Sequence, residues 1–344
     1  MRFTIWITAA ALASFPPIAM AFAKDVVDPS CRREIITLCG INRSKIGPCL
    51  KTKMDQLTPA CKTAVEARVA QMLLNSARRA GNGDKTALTK GGTEFLYGSD
   101  AAQALDYYPV VGNPKAPLVF FIHGGGWSVG NKRHLANEKA SFYNGLGYAF
   151  ASVNYRLVPQ VKPDGQAQDI AAAIAYLRRD AAKLGLDPDR IVVMGHSAGA
   201  HLAALVSSDT HYLDDARVPL ASIKGAILLD GAGYDVAKQM QSDDNMVQEL
   251  YTAAFTHDPA AQKALSPVAY VGAPNITNWL LLHVESRVES GGQARELSDG
   301  LAKNGAKTIV VSVPNSTHMS VNADSGKAGS FIGDQIAKFL KAVF

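Results

Sequence analysis

Six short apolar runs punctuate the chain beyond residue 93: Leu118 to Ile122, Ala149 to Asn154, Arg190 to Met194, Gly225 to Leu229, Trp279 to Val284 and Thr308 to Val313. None alternates polar with apolar positions, so each reads as a strand covered on both faces. Helical patterns lie between them, among them Gln166 to Leu184 and Gly292 to Asn304. Strand and helix in alternation predict an α/β fold, a mostly parallel sheet flanked by helices, and residues 94 to 111 add antiparallel edge strands. In such sheets ligands bind beyond the carboxyl ends of the strands, so the loops after these runs are where chemistry is to be sought.

The first 92 residues follow other patterns. Arg2, an apolar run from Phe3 to Met20, and the small-x-small site Ala21, Phe22, Ala23 before Lys24 make residues 1–23 a signal peptide. An uncleaved membrane anchor is the rival reading, but Pro16 and Pro17 fall where a spanning helix needs its hydrogen bonds. The expected location is periplasmic or extracellular, without stable membrane insertion, and in that oxidising setting cysteine spacing reads as disulfide architecture.

All four cysteines, Cys31, Cys39, Cys49 and Cys61, sit in one stretch, which marks residues 24–70 as a separate module. One helical pattern surrounds CRREIITLC, and Thr58-Pro59 opens a second helix with Thr58 as its N-cap. Three connectivities are open to four cysteines; two antiparallel helices favour the nested pairing Cys31–Cys61 with Cys39–Cys49. Zinc is the alternative use, but no pair has the two-to-four-residue spacing zinc usually takes and no histidine is near. The stretch CRREIITLCGINRSKIGPCLKTKMDQLTPACKTAV resembles a cysteine-rich repeat of the Golgi-apparatus cysteine-rich protein type. Residues 71–92, Gly-rich at their end and without apolar periodicity, read as a linker, leaving 93–344 as the large α/β domain.

Composition supports a packed core and removes some function classes. With 47% hydrophobic and 19% charged residues over 344 positions, the chain is neither disordered, collagenous nor a coiled coil. Its net charge of +5 is unevenly placed: residues 24–92 hold 13 Lys or Arg against 6 Asp or Glu, and residues 93–344 are net acidic. The basic module either presents a solvated face or contacts an anionic surface, and nothing in this balance points to nucleic acid.

Gly195, His196, Ser197, Ala198 and Gly199 follow the strand run RIVVM and open the helical run AGAHLAALV. This is a nucleophile elbow: glycines at both ends because strand turns into helix too tightly for side chains, and a serine held in a strained conformation with its hydroxyl presented. His123, Gly124, Gly125, Gly126 and Trp127 follow the strand run PLVFFI. Glycines there let backbone N–H groups face a substrate oxygen, so Gly125 and Gly126, with the N–H of Ala198, are the candidate oxyanion hole; one such donor is worth about 3 to 4 kcal/mol of barrier. A phosphate loop is the competing use of a glycine run, but no GK[ST] ending follows. Past the last strand run stands His318, the candidate general base for Ser197. His134, His201, His211, His257 and His283 read as structural, His123 and His196 as shaping the two loops, and Trp127 as either a pocket wall or a core aromatic.

The segments HGGGW, SVNYRLVP, DPDRIVVMGHSAGAHLAALV and THMSVN resemble the α/β-hydrolase superfamily, and within it the HGGG-type esterases and lipases, hormone-sensitive-lipase-like and kynurenine-formamidase-like enzymes included, over residues 97 to 344. The resemblance implies hydrolysis of small carboxylic esters through an acyl-enzyme, with no metal or cofactor. An amidase or formamidase with the same triad is the nearest alternative. It also implies a triad acid three or four residues past the histidine of WLLLHV, which falls on Ser286 or Arg287, neither a carboxylate. Glu289 is the expected acid, with Glu285 as its alternative; Asp230, at the end of KGAILLD, is a third candidate that reads first as a solvated or capping acid. The missing carboxylate and the appended cysteine-rich module keep a non-catalytic binding protein on a hydrolase fold open as the second reading.

Overall fold

The computed structural model describes residues 29–40, 46, 49–50, 53, 56–62, 64–65, 91–242, 245–272 and 274–344. The expected signal peptide and nearly all of the expected linker lie outside them. The chain divides into two compact units, Met1–Lys85 and Thr86–Phe344.

In the small unit, helix α1 (Pro29–Cys39) and a second helical stretch at 59–62 are joined by the Cys31–Cys61 disulfide, and Cys39 pairs with Cys49. The nested pairing is the one expected. Thr58 caps the second stretch: its Oγ1 accepts the Cys61 N–H at 3.4 Å and donates to Glu34 Oε2 at 2.8 Å. Ile35, Leu50, Leu57 and Val65 close a core around the buried Cys31–Cys61 bridge. So small an apolar cluster is the kind that depends on covalent staples.

The large unit is built on one eight-stranded sheet: β1 (Thr93–Leu96), β2 (Ala104–Tyr108), β3 (Ala116–Ile122), β4 (Ala149–Val153), β5 (Leu186–His196), β6 (Ile223–Leu229), β7 (Asn278–Val284) and β8 (Lys307–Val313). The order across the sheet is β1-β2-β4-β3-β5-β6-β7-β8. β1 and β2 pair antiparallel, as do β2 and β4, and the remaining pairs are parallel. The central strands are buried on both faces. Ile191 and Val193 of β5 join one apolar cluster while Val192 and Met194 join the other, so continuous apolar runs were needed rather than alternation.

Helices cover both faces. The first cluster takes in α3 (Pro163–Arg179) and α4 (Ala198–Ser208), with Ala294, Leu297 and Leu301 of α6 (Val288–Lys303). The second takes in Ala136, Ala140 and Tyr143 of α2 (Ala136–Gly145), Val321 of α7 (His318–Asp324), and Ile332, Ile336, Phe339 and Leu340 of α8 (Phe331–Val343). A further helix, α5 (Asn245–Phe255), follows β6. Because β3, β5, β6, β7 and β8 run parallel, their carboxyl ends lie along one edge of the sheet, and the loops that carry His123 to Trp127, Ser197, Asp230, Arg287 and His318 all begin there.

Candidate active site

The elbow is set by three close backbone approaches. A Cβ on Gly195 would lie 2.0 Å from the carbonyl oxygen of Gly199, and a Cβ on Gly199 would lie 2.2 Å from that of Ile122. No side chain fits at either place, which is why glycine brackets the turn. Between them Ser197 has φ 56° and ψ −121°, a left-handed backbone that a serine adopts only when its surroundings impose it. Its N–H is held by Leu229 O at 3.0 Å, and its carbonyl accepts from Ala200 and His201 as α4 starts. Ala198 is the first residue of α4, so its N–H has no acceptor within the helix and points where the positive end of the helix dipole adds to it.

The glycine loop lies against this elbow. A Cβ on Gly124 would meet Ser197 Cβ at 3.0 Å and His196 O at 2.8 Å. Gly125 (φ 124°) and Gly126 (φ 58°) both occupy the positive-φ region. The turn is closed by the Gly125 carbonyl, which accepts from Ser128 and Val129, and among the described residues no backbone acceptor takes the N–H of Gly125 or Gly126. Leu250 of α5 covers Gly126 from outside. Trp127 is buried in an aromatic cluster with Tyr251, Phe255 and His201, so of its two expected roles the packing one is what the structure places. Tyr155 donates to His123 O at 2.9 Å and stacks on the His123 ring at 4.5 Å, fixing the entry to the loop.

His318 is the first residue of α7, presented by the Thr317 capping box that satisfies the helix start. Its ring lies 4.5 Å from that of His196, whose Nε2 donates to His318 O at 2.8 Å. Burial pushes His196 down to about 3, so it is neutral and its one ring proton serves this bond. The base is thus carried to the elbow by the residue next to Ser197. No hydrogen bond joins Ser197 Oγ to the ring in this structure.

The acidic partner of the ring is Asp230: its Oδ2 lies 2.6 Å from His318 Nδ1. This corrects the expectation of Glu289 or Glu285. Glu289 is exposed on the first turn of α6, where Gln239 Nε2 donates to it at 3.1 Å and Ser242 Oγ at 3.3 Å. The side chain of Glu285 is exposed, and its backbone N–H caps the sheet edge on Val313 O at 3.1 Å. Both acids leave β7 on the outer side of the loop, whereas Asp230 leaves β6 pointing inward with φ 45° and is 1% exposed.

The Asp230 carboxylate is saturated with donors. Oδ1 accepts from Val284 N–H at 2.9 Å and Ser290 Oγ at 3.1 Å; Oδ2 takes His318 Nδ1 and Arg287 Nη1. Burial raises the carboxyl's proton affinity, but the bond to His318, the Val284 N–H and the Arg287 charge outweigh it and hold the group well below the usual carboxylate range. It is an ionised acid in a dry place, and with its proton on Nδ1 the ring leaves Nε2 for chemistry. Asp230 was the weakest of three sequence candidates, while Arg287, Ser290 and the Val284 N–H were not anticipated. The signal was present: Asp230 stands directly after a strand run, as His123 does and Ser197 nearly does.

A strained serine on an elbow, a glycine loop with free N–H groups, and a histidine oriented by a buried aspartate define an α/β-hydrolase. Comparison with known proteins agrees. The BD-FAE family model matches residues 105–288, and the chain belongs to that family. Among curated relatives, esterase LipQ of Mycobacterium tuberculosis is 26% identical over 238 residues, covering 67% of this chain and 56% of that protein. A probable isoprenylcysteine alpha-carbonyl methylesterase ICMEL1 of Oryza sativa is 26% identical over 253 residues, 65% of this chain and 56% of that protein. The chain thus spans about half the length of the curated relatives it matches. Among solved structures, esterase B of Lactobacillus rhamnosis superposes with a TM-score of 0.61 at 21% identity, covering 80% of this chain and 92% of that one. A truncated carbohydrate esterase from gut microbiota gives 0.59 at 23%, covering 73% and 95%. These structural likenesses establish the fold. No helix among the described residues is long and apolar enough to cross a membrane.

Proposed function

We propose that the protein is a secreted serine hydrolase that cleaves small carboxylic esters through an acyl-enzyme. The observation that carries this is the Asp230–His318 pair, 2.6 Å apart, set beside the Ser197 elbow by the His196 contact. Ser197 Oγ attacks the ester carbonyl while His318 Nε2 takes its proton, and the developing oxyanion is met by the N–H groups of Gly125, Gly126 and Ala198. Collapse of the tetrahedral intermediate expels the alcohol, which receives the proton from His318. Water then attacks the acyl-Ser197 ester by the same route and frees the acid. Asp230 fixes the ring's tautomer and stabilises the imidazolium formed at each step.

The ester class draws support from relatives named as esterases and carboxylic ester hydrolases. Secretion draws support from the N-terminal apolar run and from two disulfides, which persist in oxidising compartments. The binding-protein reading loses one of its two motives, since Asp230 stands against His318 where a carboxylate was missing, and keeps the other, the appended cysteine-rich module.

A fluorophosphonate probe tests the proposal, followed by nitrophenyl esters of graded acyl length. The expected outcome is stoichiometric labelling at Ser197, none in Ser197→Ala, and turnover abolished with it. A folded chain that neither labels nor turns over any ester of the series would overturn the assignment.

A further inference from the structure

Arg287 takes no part in the mechanism above, yet it touches both members of the acid–base pair. It immediately precedes α6, and its side chain is 39% exposed. Nη1 hydrogen-bonds to Asp230 Oδ2, approaches Asp230 O at 3.5 Å, and lies 2.6 Å from His318 Nδ1. A guanidinium carries donors only, and Nδ1–H is itself the donor to Asp230. The contact between the two nitrogens is therefore no bond of its own; two donors converge on one carboxylate oxygen, and a permanent cation is held against the ring by the anion they share.

The groups around the imidazole come from every element packed on it. Asp230 follows β6, Arg287 precedes α6, His196 ends β5, and Glu285 lies exposed on the loop after β7. Tyr234 stands behind Asp230 with its hydroxyl pushed up by burial, hence neutral. His196 is neutral; behind it Lys139 of α2, pushed down to about 7 by burial, acts on the His196 ring, and Asp324 of α7 acts on Lys139 in turn. Arg287 is therefore the one fixed positive charge among these groups in direct contact with the ring.

We propose that Arg287 is a positioning residue of the acid–base pair, holding the Asp230 carboxylate toward His318 Nδ1 so that the ring keeps the orientation and tautomer the reaction needs. The inference rests on the hydrolase reading for its kinetic arm only. Its geometric arm does not need turnover.

Two variants of the full chain test it, Arg287→Met and Arg287→Lys. In Arg287→Met the plateau kcat falls about tenfold as the carboxylate loses its orientation, with KM little changed. Arg287→Lys, which keeps a donor to the carboxylate, recovers most of that loss. In parallel, the downfield proton resonance of His318 Nδ1–H in a Ser197→Ala background is sharp with Arg287 and broadened or lost in Arg287→Met. If the wild-type chain hydrolyses no ester, the proposed function fails and the proton resonance alone decides this inference. Loss of thermal stability with both kcat and the resonance unmoved means that Arg287 only supports the fold. A change in KM alone means that it binds substrate. Either result overturns the proposal.

Discussion

At the residue scale the decisive contact is between Asp230 and His318. Asp230→Asn keeps the shape of the site but lets the imidazole adopt the wrong tautomer, so kcat on a short-chain ester is expected to fall by about 10⁴. Glu289→Gln and Glu285→Gln, whose carboxylates point elsewhere, are expected to stay within about threefold of wild type. Steady-state kinetics on the three variants check the correction directly; a full-rate Asp230→Asn beside a dead Glu289→Gln would reverse it. Why this acid was hard to read is a matter of reach. Glu285 and Glu289 satisfied the expectation by sequence distance from β7, but distance along a loop does not say which way a side chain leaves it. Arg287 occupies the inward position instead, and the carboxylate it grips arrives from the end of the neighbouring strand β6, which no count of residues past β7 reaches. Ser197 was legible from the glycine brackets that tie it to a strand end, and His318 from its place in the loop after the last strand run.

At the scale of elements, the interiors of the strands were legible and several ends were not. Five of the six apolar runs lie within strands and the sixth overruns β4 by Asn154; burial on both faces leaves that unbroken apolar signature in β3 to β7, whereas β8, at the sheet edge with Ile309 50% exposed, carries the pattern without the burial. β5 begins at Leu186 rather than Arg190, since Leu186 pairs with Ala116 before a register shift, and no local propensity marks such a pairing. Helix α6 begins at Val288 rather than Gly292, although Gly291 and Gly292 argue against helix. Gly291 is there for packing: a Cβ would meet the His283 ring at 2.7 Å, so tertiary fit overrides propensity. The same reasoning makes a prediction at the elbow. Gly199→Ala places a methyl against the backbone oxygens of Ile122 and His123, neither of which can swing away as a side chain would. A loss of about 2 to 3 kcal/mol in unfolding free energy is expected, together with loss of fluorophosphonate labelling as β3 and α4 are forced apart. Retained stability and retained labelling would show that the crossing is looser than these distances imply.

At the scale of the whole molecule, the cysteines fall in one stretch and the apolar runs in another, and the chain divides into compact units Met1–Lys85 and Thr86–Phe344. The protonation state of the core is not legible in this way, because it depends on which histidines become enclosed. His123, His196 and His201 are buried, and desolvation pushes them down to about 4, 3 and 4. The bonds agree with neutral rings. Trp127 Nε1 donates to His201 Nδ1 at 3.3 Å while His201 Nε2 faces Leu265 O at 2.8 Å, so His201 has no site for a second proton. In the unfolded chain these rings take up protons near pH 6.5, whereas in the native state they do so only near 3 to 4. Between those limits the unfolded state binds more protons, so stability is complete above about pH 6.5 and is lost as pH falls. Each ring contributes a slope of about 1.4 kcal/mol per pH unit in that window. Asp230, held ionised, adds its own loss further down, below the ordinary carboxylate range. Urea unfolding from pH 7.5 to 4.5 is therefore expected to show falling stability, and His201→Gln, whose amide can reproduce both bonds, to show a slope smaller by one proton. An identical slope in that variant would mean that His201 is protonated in the folded protein after all, and that the Trp127 contact does not hold it neutral.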